Sequence, residues 1–94
     1  MPIIAMPMPP ATTPLYNHPL PVVEYWLRSQ GCTQAQDSPS RWYVKRPEWE
    51  ADIYLDVEEV QVRYINASAG KDVMRAFPYS LSRHDIEDAI FTGP

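Results

Sequence analysis

The strongest constraint on this chain of 94 residues is a pair of tight turns whose registers agree. Between Arg41 and Ile65, three runs alternate with period two, the signature of half-buried strands. Trp42 and Val44 alternate with Arg41, Tyr43 and Lys45. Trp49, Ala51, Ile53, Leu55 and Val57 alternate with Glu50, Asp52, Tyr54 and Asp56. Val60, Val62 and Tyr64 follow, alternating with Gln61, Arg63 and Ile65. A turn at Pro47–Glu48 pairs Lys45 with Glu50, Val44 with Ala51, Tyr43 with Asp52 and Trp42 with Ile53. A turn at Glu58–Glu59 pairs Asp56 with Gln61, Leu55 with Val62, Tyr54 with Arg63 and Ile53 with Tyr64. Both hairpins then keep their apolar residues on one face, whereas a slip of one residue would flip a strand. A three-stranded antiparallel meander is therefore expected.

The flanks read as helices. A helix is expected over about 19–30, with Asn17 as its N-cap and Pro19 and Pro21 in a first turn that tolerates missing donors. Leu20, Val23 and Leu27, widened by Trp26, make its apolar stripe, and Gly31 is its C′ residue. A second helix is expected over 83–91. Ser82 caps it, Asp85 occupies the position of a capping-box acid, and Leu81 with Ile86 forms a hydrophobic staple. Ile86, Ala89 and Ile90 face inward. Thr33–Ser40 reads as a polar connection and Asn66–Gly70 as a small-residue loop. Residues 73–79 read either as a short fourth strand or as an irregular crossover, with Pro78 against a central strand. The expected fold class is α+β: helix, three-stranded meander with a short fourth strand left open, and a C-terminal helix. Both helices cover the Trp42, Trp49, Ile53, Leu55, Val62 and Tyr64 face.

Composition divides the chain unevenly. Seven of 11 prolines lie in residues 1–21, and no charged side chain precedes Glu24. Residues 1–14 read as a disordered Pro/Met-rich arm lacking the features of a targeting peptide, and residues 15–94 as one domain. The net charge of −4 has the wrong sign for gripping phosphates. The order helix, three strands, helix is also that of double-stranded RNA-binding domains, but those need lysines where this chain has Arg83-His84-Asp85 followed by Glu87 and Asp88. No nucleic-acid partner is expected. No run reaches the roughly 20 apolar residues of a membrane span.

Catalytic and metal chemistry finds little footing. Cys32 is the sole cysteine, so an internal disulfide and a cysteine metal cage are excluded. It reads as a small buried residue. Two histidines, His18 and His84, stand without a metal-binding spacing, and no glycine-rich phosphate loop is present. Six acids between Glu48 and Glu59 read as a solvated, cross-strand paired face, not a cation site. No metal, no cofactor and no enzymatic activity are expected.

Two stretches carry a resemblance: Thr13-Pro14-Leu15-Tyr16-Asn17-His18-Pro19-Leu20-Pro21, and Tyr79-Ser80-Leu81-Ser82-Arg83-His84-Asp85-Ile86-Glu87-Asp88-Ala89-Ile90-Phe91. With the Trp-rich meander, they make residues 13–94 similar to a small family of cyanobacterial and plastid proteins defined by a domain of unknown function. The resemblance implies a protein of oxygenic phototrophs, in the cyanobacterial cytosol (free or thylakoid-associated) or the plastid stroma, and brings no catalytic residues to carry over. If the two helix starts lie side by side, Tyr16, Asn17, His18, Tyr79, Ser80, Arg83 and His84 form a polar-aromatic patch of the kind found at interaction hot spots. The expected function is a non-catalytic, soluble accessory module that binds another protein; the phototrophic context, photosynthetic assembly or regulation, comes from the resemblance alone. The alternative is a small-molecule or nucleotide-binding domain with weak enzymatic activity at the same patch. A closed pocket of about 300 Å³ or more favours the ligand; a flatter apolar-rimmed surface favours the protein partner. An uncovered third strand would add a route by strand addition.

Overall fold

The computed structural model describes residues 9–94. A 3-10 turn (Leu15–Asn17) leads into α1 (Leu20–Ser29), followed by β1 (Thr33–Gln34), β2 (Arg41–Lys45), β3 (Glu50–Leu55), β4 (Glu59–Ser68), β5 (Lys71–Pro78) and α2 (Arg83–Phe91). The strands form one antiparallel sheet in chain order. The α+β class and the meander are as expected, with five strands in place of three.

The β2–β3 register is the one read from the sequence, from Lys45 opposite Glu50 to Trp42 opposite Ile53. The β3–β4 register is corrected by two residues: Leu55 faces Val60, Ile53 faces Val62 and Ala51 faces Tyr64. The turn is Val57–Glu58, not Glu58–Glu59. It is closed by the Asp56 N–H donating to Glu59 O (3.0 Å), with Asp56 Oδ1 accepting from the Val57 N–H (2.8 Å). Alternation fixes which face a strand buries, so it specifies register only modulo two. The Asp56 side chain settles the remainder by stabilising the turn locally.

Two strands lie where connections were read. Thr33 and Gln34 pair with Tyr43 and Trp42. The supposed loop at Asn66–Gly70 is mostly strand, because β4 runs to Ser68 and returns through Ala69 and Gly70, both at positive φ (51° and 76°), the backbone of a type I′ hairpin turn. Between Tyr64 and Ser68 the ladder is irregular. There Asn66 has φ 52°, and its N–H donates to Asp72 Oδ1 (3.0 Å). Residues 71–78 are a full edge strand of 8 residues, with Pro78 at its end, where the ladder needs no donor. The Tyr79 N–H donates to Glu58 O, so by alternation Val73, Arg75 and Phe77 point their backbone groups at β4 while Asp72, Met74 and Ala76 point theirs to solvent.

Both helices pack on one sheet face. Trp26, Leu27, Ile86 and Ile90 meet Trp42, Val44, Ala51, Ile53, Val60, Val62 and Tyr64, all essentially buried. Trp49 and Leu55, expected inside, are half-buried at the margin. Leu20 is a correction: it is 60% exposed, and Val22 is buried in its place. The helices are joined to each other and to the sheet by specific bonds. Trp26 Nε1 donates to Glu87 Oε1 (2.7 Å), Trp26 meets Phe91 edge-on, and the Tyr64 hydroxyl donates to Ile90 O (2.8 Å). On the far face Arg63 pairs with the buried Asp52 (2.7 Å), which the corrected register sets opposite it, while Arg41 pairs along the chain with Asp37.

Candidate interaction groove

The two motifs are brought together by backbone pairing. Pro14 and Ser82 form an antiparallel bridge. The Leu15 N–H donates to Leu81 O (2.9 Å) and the Tyr16 N–H to Tyr79 O (3.1 Å). In the other direction, the Arg83 N–H donates to Thr13 O (3.2 Å) and the His84 N–H to Ala11 O (2.9 Å). These are the first two orphan donors of α2, and the third, the Asp85 N–H, reaches the Ser82 hydroxyl (3.1 Å). The arm therefore completes the cap that Ser82 begins. Of the arm read as disordered over 1–14, residues 1–8 lie outside the described residues, whereas Ala11 to Pro14 are tied to the domain.

Asn17 does not cap α1. It sits exposed in the 3-10 turn, its N–H donating to Pro14 O (3.0 Å), and the N-cap position belongs to Pro19. His18 is buried, and its Nε2 lies 3.3 Å from Thr13 O, which makes Nε2 the protonated ring nitrogen. Burial lowers its pKa; the Thr13 carbonyl opposes that effect and the nearby Arg83 charge adds to it.

Beside this junction lies an open apolar concavity of about 270 Å³. Leu15, Tyr16, His18, Leu20 and Val23 line it from the N-terminal side; Leu55, Val57 and Tyr79 line it from the sheet. Tyr16, Leu20 and Val57 are 62%, 60% and 88% exposed and form its rim. Tyr79 is held by its hydroxyl donating to Asp56 O, and burial, followed by the Asp56 and Glu59 charges, pushes the phenol pKa up.

Of the seven patch residues, Tyr16, His18 and Tyr79 line the groove. Asn17 and Ser80 are exposed outside it. Arg83 is mostly covered and lies 3.7 Å from Glu87, the acceptor of Trp26, so its position serves the helix pair. His84 is exposed, 3.4 Å from Asp88. Sequence reasoning missed Leu15, Leu20, Val23, Leu55 and Val57. Val57 carried a signal, since it ends an alternating run next to two acids, where a turn is as natural as a strand. Among the described residues no group of three His, Cys, Asp or Glu side chains converges to hold a metal. Cys32 is buried, which pushes its thiol up to about 11 against the opposing charge of Arg46.

A two-helix layer on a five-stranded meander, notched by an apolar groove between the N-terminal segment, α1 and the β3–β4 turn, defines a small α+β domain. The chain belongs to the DUF3143 family of proteins of unknown function, whose model matches residues 30–93. That stretch holds the sheet and α2 but only Leu55, Val57 and Tyr79 of the groove. No curated protein and no solved structure matches the chain. Among the described residues no helix is long and apolar enough to cross a membrane.

Proposed function

We propose that the protein is a non-catalytic interaction module that receives an apolar side chain of a partner protein in the groove between the 3-10 turn, α1 and the β3–β4 turn. One observation carries this reading: three large apolar side chains stand more than half exposed around a single concavity. Exposed apolar residues scattered singly need no explanation, but a rimmed cluster does. The groove is open, at about 270 Å³, and its apolar lining suits a docked side chain better than a nucleotide. The one nearby guanidinium, Arg83, faces Glu87 and is not offered to a phosphate. His18 donates Nε2–H to Thr13 O and its basic nitrogen, Nδ1, is buried, while Cys32 is buried as a thiol, so neither is presented to a substrate as a base or nucleophile. The resemblance to cyanobacterial and plastid proteins supports seeking the partner in an oxygenic phototroph, in the cytosol or stroma.

The test is capture of partners from soluble and membrane fractions of a phototroph, with wild type beside a Tyr16→Ala/Val57→Glu variant. Both positions are exposed, so the variant keeps its circular dichroism and thermal midpoint. A partner held by wild type and lost by the folded variant supports the reading; equal capture by both removes the groove from it.

A further inference from the structure

The charge around the groove specifies its occupant. The β3–β4 turn that forms its sheet-side rim carries Asp56, Glu58 and Glu59 on either side of Val57. Asp56 and Glu58 are exposed, and Glu59 is partly so. Asp56 Oδ2 and Glu59 Oε2 accept from the neutral Gln61 amide (3.2 and 2.9 Å). Among the described residues, the ion pairs engage Asp37, Asp52, Asp72, Glu87 and Asp88 but none of these three carboxylates. They are held around Tyr79, a groove-lining side chain: its hydroxyl donates to the Asp56 carbonyl and its N–H to that of Glu58, and the Asp56 and Glu59 charges act on its phenol. An apolar concavity is thus bordered by negative charge that no cation pairs with among the described residues.

Resting on the groove reading above, we propose that the groove binds a positively charged segment of another protein, which seats one large apolar side chain between Leu20 and Val57 and sets flanking Lys or Arg against Asp56, Glu58 and Glu59. The apolar contact supplies affinity and the charges supply orientation and encounter rate. The same three acids repel nucleic-acid phosphates and anionic lipid surfaces, which narrows the basic ligand to a protein.

A random peptide library displayed on phage and selected against the full chain tests this without presuming a partner. Enriched peptides are expected to place Lys or Arg on both sides of one Leu, Met, Phe or Trp. A synthesised winner is expected to lose about tenfold or more in affinity on Val57→Glu, with Leu20→Glu as a second groove variant. Neutralising the rim in Asp56→Asn/Glu58→Gln/Glu59→Gln is expected to cost about tenfold and to flatten the salt dependence. Winners that need Val57 but are neutral or acidic, or that ignore the rim variant, overturn the charge inference and leave the groove reading standing. Winners indifferent to Val57→Glu and Leu20→Glu, or no enrichment at all, overturn both.

Discussion

His18 shows how one buried side chain makes stability depend on pH. Burial lowers its pKa below the ordinary 6.5, so the unfolded chain takes up this proton at a higher pH than the folded one. Stability from His18 is therefore complete above about pH 6.5 and declines as pH falls through that value towards the folded pKa. Urea titrations at stepped pH are expected to show that decline in wild type and a shallower one in His18→Gln, the difference isolating His18 from other titrating groups. Cys32 gives a second check at the same scale. With its thiol raised to about 11 and its side chain buried, it should resist iodoacetamide at pH 8 in the native protein and react readily in denaturant. Glu87 matters for a different reason, since its carboxylate accepts the indole N–H of a tryptophan that is 1% exposed. Glu87→Ala should cost about 1–3 kcal/mol by leaving that donor buried and unpaired, and Glu87→Gln less, because its amide oxygen still accepts.

At the level of elements, the α2 start depends on two segments distant in sequence. Ser82→Ala removes the acceptor of the Asp85 N–H and should destabilise by about 1 kcal/mol in denaturant unfolding. Deleting residues 1–13 strips the Thr13 and Ala11 carbonyls from the Arg83 and His84 N–H groups, so it should fray the same turn, read as faster amide exchange at those two residues. The Ser82 cap was legible because it is a local pattern with its own chemistry. The sheet face was legible through strict alternation from Trp42 to Tyr64, but its β3–β4 register was not, since a shift of two residues buries the same face. β1 escaped because two polar residues carry no period, and β5 was ambiguous because an edge strand buries only part of one face. Asn17 is the instructive error: a good capping side chain next to a proline-rich helix start was displaced by the 3-10 turn that docks the motif on Leu81 and Tyr79.

For the molecule as a whole, the groove could not be read from either motif alone, because it exists only where three stretches separated in sequence converge. Leu15 to Val23, Leu55 with Val57, and Tyr79 come together through the Pro14–Ser82 bridge and the β3–β4 turn. Alternation and caps describe each stretch but not their meeting. Among the described residues the outer side of β5 is unpaired, with a consequence for how crowded copies behave. Asp72, Met74 and Ala76 turn backbone donors and acceptors to solvent, and Met74 is 61% exposed beside them. Such an edge is a template on which a neighbouring strand can add, and Lys71 and Arg75 stand along it as charged guards, with Pro78 blunting its end. Lys71→Thr/Arg75→Thr should leave the thermal midpoint nearly unchanged, yet raise light scattering on concentration, and a further Ala76→Pro, which deletes an outward-facing donor, should suppress that self-association.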